Sequence, residues 1–305
     1  MSATMTLTKP SVVTTNLNYY LDPSKGGHTE YYTGVSDYYR RKFDPHEVQV
    51  EDARPRKEEF KLDVQGFQHA AHSSVEKTFD DFDRIREVAY PDVEAMVKDI
   101  TGATKVHIFS HLSRRDSREG TMRAVKEDPK LQDGNAPMRK AVPAGFVHVD
   151  FSNAGSEAIM RDNTPSEDVD ELRKTRWSII SVWRPITPVR RDPLAMCDAR
   201  TTHEEDFVPI TSYLPPKDGS DYGNLTPADN FEIFYKRYHP DEKWYYFDNM
   251  TPNEVLLIKL FDTAKDGKTA KRTPHSAFVI PGTEKEPKRE SIEIRCLAFF
   301  EDQPI

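Results

Sequence analysis

The stretch Gly145-Phe-Val-His-Val-Asp-Phe151 has the composition and alternation of a half-buried β-strand. Side chains two positions apart in a strand point to the same face, so Phe146, His148 and Asp150 share one face. An ionised carboxylate on a buried face is costly unless it has a partner, and an imidazole beside it is a common metal co-ligand. The stretch therefore predicts a metal site, with a structural His–Asp pair as the alternative.

Two other histidines precede an acidic residue at the same spacing, in His203/Glu205 and His239/Asp241. The first pair lies in the polar run Thr201-Thr-His-Glu-Glu-Asp206, which is typical of a loop. In the second pair His239 is followed by Pro240, which lacks the N–H that a strand ladder needs. His148 and Asp150 are therefore the stronger candidates.

From residue 145 onward the sequence alternates between short apolar runs and turn residues, which is the pattern of a β-rich fold. We predict strands over residues 145–151, 176–184, 230–238, 243–248, 254–262, 275–280 and 291–300. A double-sheet jelly roll, that is, a cupin-like double-stranded β-helix with flanking helices, accommodates many short strands of this kind. The predicted fold class is mainly β with a helical buttress.

The remaining segments complete the predicted organisation. Apolar spacing indicates helices over 74–101 and over 165–174, and a short strand over 106–109. Within the first segment, Pro91 breaks the pattern and then opens a second helix that Gly102 ends. The basic run Arg114–Arg118 is interpreted as a solvated loop. Residues 1–60, which carry several tyrosine pairs, are predicted to be an irregular arm that packs on the body or lines a dimer contact, and residues 61–305 are predicted to form a single jelly-roll domain.

Composition excludes several classes of protein. The 305-residue chain has a net charge of -8, which argues against a general nucleic-acid binder. Its apolar runs fall short of the roughly 18 residues of a membrane helix, and residues 1–5 do not resemble a secretory signal. Two cysteines, Cys197 and Cys296, favour a reducing compartment. We expect a cytoplasmic protein that binds a hydrophobic small molecule, with a homodimer left open.

A second pattern lies near the C-terminus. His275 opens a strand-like run, and Arg289, Ser291, Glu293 and Arg295 then alternate onto one face of the next predicted strand. Two arginines on one face of a core strand need anionic partners, because a guanidinium holds a carboxylate through two hydrogen bonds. A dicarboxylate cosubstrate is one such partner, and neighbouring acids such as Glu290 and Glu293 are the alternative.

The two patterns together resemble the layout of Fe(II)/2-oxoglutarate oxygenases: His-x-Asp, a distant histidine, and Arg-x-Ser beyond it. The blocks Arg176–Pro185, Asp192–Asp198 and Trp244–Lys259 are similar to those of the mostly fungal hydroxylase/desaturase family. That family includes gibberellin-desaturase-like proteins and an endoperoxide-forming oxygenase of meroterpenoid biosynthesis. The resemblance covers about residues 100–300.

The resemblance implies roles for specific residues. His148, Asp150 and His275 would hold Fe(II), and Arg289 would hold 2-oxoglutarate, with Arg295 as a second contact or the alternative anchor. The implied reaction consumes O₂, releases succinate and CO₂, and oxidises a terpenoid or meroterpenoid C–H bond by hydroxylation, desaturation or endoperoxide formation. The alternatives are a jelly-roll metalloenzyme that does not use 2-oxoglutarate and a catalytically inactive partner subunit.

Overall fold

The computed structural model describes residues 11–215, 222 and 225–305, and within them two β-sheets form the body of the protein. The strands are numbered in chain order. The large sheet contains β1 (Val12–Tyr19), β2 (Glu30–Tyr32), β3 (Asp44–Asp52), β6 (His148–Val149), β8 (Leu194–Cys197), β9 (Phe207–Tyr213), β10 (Asn230–Lys236), β11 (Trp244–Tyr246) and β13 (His275–Ala277). The small sheet contains β4 (Phe67–Ala71), β5 (Lys105–Arg114), β7 (Thr175–Pro185), β12 (Glu254–Asp262) and β14 (Ser291–Pro304).

The strand orders are β1-β3-β11-β8-β13-β6-β10-β9-β2 in the large sheet and β4-β12-β7-β14-β5 in the small one. Most neighbours are antiparallel; β11 with β3 and β2 with β9 are parallel. Strands distant in sequence are thus neighbours in space, as a jelly roll requires. The predicted fold class is confirmed.

The main hydrophobic core lies between the two sheets. Met196 and Phe234 from the large sheet share one buried cluster with Trp183, Leu256 and Leu297 from the small sheet. Because strand side chains alternate, the neighbours of Met196 in β8 point the other way, into a separate cluster on the opposite face of the large sheet. Burial on both faces explains why β8 is apolar throughout.

A helical segment covers the outer face of the small sheet, through Val93, Met96 and Val97. It consists of α1 (Phe82–Arg84), a π-helical turn (Ile85–Ala89) and α2 (Tyr90–Thr101). The prediction of a helix from residue 74 is wrong, because the Asp81 side chain caps the helix by accepting from the Arg84 N–H at 2.9 Å. The second helix predicted to open at Pro91 and end at Gly102 is confirmed as α2, since this proline occupies its first turn, where a missing N–H is tolerated, and Gly102 caps its C-terminus.

Three further α-helices lie between strands: α3 (Arg118–Glu127), α4 (Asn153–Asn163) and α5 (Ser166–Leu172). Helix α5 confirms the helix predicted over 165–174. Short 3₁₀ helices span Pro23–Lys25, Ser36–Arg40, Arg54–Glu59, Pro129–Leu131, Ala199–Thr201 and Glu204–Asp206. The loop predicted over 114–118 is present only over 115–117, because Arg114 ends β5 with a buried side chain and Arg118 begins α3.

The prediction of an irregular N-terminal segment is wrong for residues 11–60. Strand β1 pairs with β3 over eight residues, and both join the large sheet through β11. Leu17 and Tyr19 are buried, and the Tyr19 hydroxyl donates to Glu242 at 2.9 Å. Residues 1–10 lie outside the described residues, and the division of the chain at residue 60 stays a prediction.

The strands with the strongest apolar signal, β7, β12 and β14, are present at the predicted positions. The strand predicted over 145–151 is shorter, since only His148–Val149 pairs as β6. The strands β8 and β9 were not predicted, because β8 has only four residues and β9 contains Pro209.

We predict that β1 contributes directly to stability. Leu17→Ala should lower the free energy of unfolding by about 2 to 5 kcal/mol, because it leaves a cavity in a packed cluster. Val12→Ala in the same strand is the control and should change it by less than about 0.5 kcal/mol, because Val12 is 48% exposed. Urea unfolding measures the free energy of both variants. If Leu17→Ala changes it as little as Val12→Ala does, β1 does not belong to the cooperative unit.

Candidate metal centre

Three side chains predicted to be ligands converge between the two sheets. His148 lies in β6, Asp150 directly follows that strand, and His275 opens β13, where it pairs with His148 across the ladder. Asp150 Oδ1 lies 3.4 Å from Nε2 of His148 and 3.4 Å from Nε2 of His275. One potential ligand atom from each residue therefore lies within 4.8 Å of the others.

Backbone carbonyls fix the orientation of both imidazoles. The Nδ1 atom of His148 lies 2.8 Å from the Phe146 carbonyl, and that of His275 lies 3.0 Å from the Thr273 carbonyl. An Nδ1–H donated to a carbonyl leaves Nε2 as the atom with a lone pair, which is how metal-binding histidines are commonly held. Both Nε2 atoms face Asp150, so the arrangement is suited to a cation at the centre of the three groups.

Charge at this centre is set by Arg295 of β14, whose Nε donates to Asp150 Oδ2 at 2.6 Å. Burial alone would raise the pKa of the Asp150 carboxyl, but the Arg295 charge holds that pKa well below its ordinary value. Burial, and then the neighbouring His275, lowers the pKa of His148. Near pH 7 the site therefore presents an anionic carboxylate and a neutral His148 imidazole.

Arg295 belongs to a row of buried charges of alternating sign. Its Nη2 donates to Glu293 Oε1 at 2.5 Å, and Arg114 Nη2 donates to the same oxygen at 2.9 Å. Burial would raise the pKa of Glu293, but the two arginines outweigh it and lower that pKa. The sequence prediction that Glu293 and Arg295 share a face is confirmed, and the neighbouring acid that we considered as the partner of Arg295 is indeed in contact with it.

Arg289 has a different environment. It is 2% exposed, and among the described residues no carboxylate lies within 4.0 Å of it. Its Nη1 donates to the Asp192 carbonyl at 2.7 Å, its Nε has no partner there, and its guanidinium lies 5.4 Å from the centre of the Trp183 ring. Burial, and then the Arg114 charge, lowers its pKa to about 10, so it stays cationic at neutral pH.

Two more donors near these arginines lack partners within the described part of the chain, namely Ser291 Oγ and Arg295 Nη1. Buried polar atoms are normally paired, so such atoms need an explanation. They lie on the alternating face of β14 that was singled out from the sequence. This set of unpaired donors fits a bound anion.

A cavity of about 510 Å³ opens beside His148 and Asp150. Its wall is mainly apolar and aromatic, and includes Leu112, Ala144, Phe146, Phe151, Leu225, Phe231 and Ile233. The N-terminal segment contributes Tyr31, Thr33 and Tyr38. Sequence reasoning placed these tyrosines in an arm and missed their position at the site, because no local pattern links them to His148.

The structure also brings together two histidines that the sequence analysis had set aside separately. The rings of His203 and His239 have centroids 4.1 Å apart, and Asp241 completes a second group of potential ligands. The Asp241 side chain is 77% exposed, so this group lies at the surface. Neither His203/Glu205 nor His239/Asp241 alone indicates that the loops carrying these two pairs are adjacent.

Comparison with known proteins gives consistent results. A family model described as an oxidoreductase/YMDC permease-like domain matches residues 17–299. The hydroxylase/desaturase efuI of Hormonema carpetanum is 38% identical, covering 95% of this chain and 96% of that protein. The hydroxylase/desaturase CTB9 of Cercospora beticola is 37% identical, covering 94% and 86%.

Among solved structures, the iron and alpha-ketoglutarate-dependent endoperoxidase NvfI matches with a TM-score of 0.72 and 25% identity, covering 95% of this chain and 98% of that one. No helix in the described residues has the length and apolar character needed to span a membrane. The matches extend over nearly the whole chain and include the strands that carry the candidate ligands. The chain belongs to the hydroxylase/desaturase family of fungal oxidoreductases.

Proposed function

We propose that this protein is a non-haem Fe(II)/2-oxoglutarate-dependent oxygenase of fungal secondary metabolism. The observation that carries the proposal is the buried group His148, Asp150 and His275, whose ligand atoms face one point. A buried Arg289 without an acidic partner among the described residues accompanies it. Two histidines and one carboxylate with open positions are the ligand set of non-haem Fe(II) oxygenases. The likeness to the endoperoxidase NvfI, whose name specifies iron and alpha-ketoglutarate (2-oxoglutarate), supports this choice.

The proposed ligands are His148 and His275 through Nε2 and Asp150 through Oδ1. Arg295 occupies Oδ2 of Asp150, which leaves Oδ1 directed at the two histidines. Arg295 is thus a positioning residue for the carboxylate, and Glu293 fixes Arg295 in turn. Contacts of this kind hold ligands in the orientation that the metal needs.

We propose that Arg289 holds the distal carboxylate of 2-oxoglutarate. Arg289 is the buried arginine of this face without an acidic partner among the described residues, whereas Arg295 is already paired with Asp150 and Glu293. Ser291 Oγ and Arg295 Nη1 are further unpaired donors for the same anion. In the proposed reaction O₂ is the oxidant, and oxidative decarboxylation of 2-oxoglutarate to succinate and CO₂ would supply two of the electrons that reduce it, with one oxygen atom entering succinate.

The substrate would enter the apolar cavity beside His148. Its aromatic and aliphatic wall is suited to a hydrophobic molecule of the terpenoid or meroterpenoid class, and it excludes water from the reacting C–H bond. Hydroxylation, desaturation and endoperoxide formation all begin at such a bond, and all three remain within the proposal.

Two broader predictions from the sequence remain proposals. The thiols of Cys197 and Cys296 are buried and free, which is compatible with a cytoplasmic protein. A homodimer through tyrosines is supported only by Tyr32, which is 56% exposed on the edge strand β2 and stacks on Tyr213. Sedimentation analysis of Tyr32→Ser against the unmodified protein would test that contact.

The first prediction concerns the metal ligands. Anaerobic addition of Fe(II) and 2-oxoglutarate should give the weak visible metal-to-ligand absorption band of a chelated complex. His148→Ala, Asp150→Ala and His275→Ala should each abolish this band, because each removes one of three ligands. His203→Ala, in the surface histidine group, is the control and should retain it.

A band that is missing in the unmodified protein, or that survives in all three variants, would show that the ligand assignment is wrong. Succinate release then separates the remaining alternatives. A metalloenzyme that does not use 2-oxoglutarate would turn over without succinate, and an inactive partner subunit would contain substoichiometric iron even after reconstitution.

The second prediction separates the two arginines. Arg289→Ala should raise the 2-oxoglutarate concentration needed for half-maximal absorption by roughly 10- to 100-fold, because it removes a charge-assisted contact. Arg295→Ala should affect this concentration less and should lower Fe(II) affinity by roughly tenfold, because Asp150 loses its orienting partner. Separate titrations with Fe(II) and 2-oxoglutarate measure the two effects, and the reverse order would assign the cosubstrate to Arg295.

A further inference from the structure

A second cavity, of about 690 Å³, shares Tyr38, Ala144 and Phe146 with the lining of the first. Its lining contains two arginines, Arg41 and Arg118, and no acidic residue. Both side chains are half-buried, and withdrawing a cation from water without a paired acid costs free energy. This cavity therefore carries positive charge that the described part of the chain does not neutralise.

Arg118, the first residue of α3, lies directly against the chain that leads into β6. A Cβ atom built on Gly145 would be 2.6 Å from Nε and 2.7 Å from Cζ of Arg118, so the guanidinium lies close against the backbone at this position. Among the described residues no carboxylate lies within 4.0 Å of Arg118. Asp192, whose charge acts on Arg118 from farther away, is paired with Arg191 at 2.9 Å.

Arg41 is held by aromatic rings. Its Cζ lies 3.8 Å from the ring centre of Tyr38, 4.2 Å from that of Tyr31 and 4.7 Å from that of Phe146. Its Nε donates to the Tyr38 carbonyl at 2.8 Å, and Nη1 donates to the Tyr235 hydroxyl. These neighbours orient the guanidinium by cation–π contact and hydrogen bonding but leave its charge uncompensated.

Most other arginines that this fold partly or fully buries have an acidic partner. Arg114 pairs with Glu293, Arg176 with Asp262, and Arg272 with Glu204. A cavity that holds two unneutralised guanidinium groups is suited to a carboxylate, because the planar fork of arginine donates hydrogen bonds to both carboxylate oxygens. The aromatic rings around Arg41 add apolar contact area for the body of the same ligand.

We propose that this second cavity binds the carboxylate of an amphiphilic substrate, whose apolar body extends past Phe146 toward the candidate metal centre. The proposal rests on the proposed function for the identity of the reaction, and it specifies the substrate class as an apolar acid. Phe146 joins the two regions, because its side chain lines both cavities and its carbonyl holds His148. An acid held at Arg118 and Arg41 would thereby be fixed relative to the reacting C–H bond.

A pair of fluorescent probes with the same aromatic body tests the charge requirement. 8-Anilinonaphthalene-1-sulfonate carries an anionic group, and N-phenyl-1-naphthylamine is neutral. With 2-oxoglutarate saturating, the unmodified protein should bind the anionic probe more tightly than the neutral one. Arg118→Gln should weaken binding of the anionic probe by roughly tenfold and leave the neutral probe unchanged.

Two matched variants serve as controls. Arg118→Lys keeps the charge and should retain most of the affinity for the anionic probe. Arg123→Gln removes an exposed arginine from the same helix and should have no effect. The proposal is overturned if the anionic probe fails to bind, if Arg118→Gln leaves its affinity unchanged or weakens both probes equally, or if 2-oxoglutarate displaces it.

The result is independent of the test of the proposed function. Loss of charge-dependent probe binding with an intact Fe(II)/2-oxoglutarate absorption band would remove only the anion site. Charge-dependent probe binding without the absorption band would mean that the cavity binds anions but the protein is not an oxygenase of this type.

Discussion

The carboxylate of Asp150 is the constraint on which the rest of the site depends. It follows β6 of the large sheet, and it is neutralised by Arg295 of β14 in the small sheet, at 2.6 Å. The ion pair therefore joins the two layers at the centre of the jelly roll. A charge buried at this depth persists only with such partners, and removal of one partner leaves the other uncompensated. Glu293 and Arg114 extend the pairing so that each charge in the row is balanced by a neighbour of opposite sign.

The metal centre could be predicted from sequence because its pattern is local. Strand alternation predicts that His148 and Asp150 share a face, and it predicts the same for Arg289 and Arg295. The partners of these residues could not be predicted in this way. Arg295 contacts Asp150 across 145 residues of chain, and its pairing depends on how the two sheets stack. The sequence analysis therefore identified both arginines without separating the paired one from the unpaired one.

Strands with long apolar runs could be predicted from the sequence. Strands at a sheet edge, or with many polar residues, were harder to predict. Strands β7 and β14 are neighbours inside the small sheet and are buried on both faces, and their long apolar runs make them visible in any window of sequence. Strand β1 lies at the edge of the large sheet and contains Thr and Asn on its exposed face, so its buried Leu17 stands out little. Its place in the sheet depends on pairing with β3 and on the contact of Tyr19 with Glu242, which are tertiary interactions.

An arginine without an acidic partner does not by itself indicate a ligand, and Arg184 shows why. It is 2% exposed, and burial lowers its pKa to about 10, as it does for Arg289. Yet its Nη1 donates to the carbonyls of His72 and Pro252, each at 2.8 Å, and it lines neither cavity. Backbone oxygens satisfy Arg184 within the fold. Arg289 instead keeps an unpaired buried Nε, and Arg118 borders a cavity without acids. A ligand-binding arginine is therefore expected to have an unsatisfied donor or an adjoining cavity, as well as no acidic partner. An arginine whose donors are satisfied by backbone oxygens has a structural role.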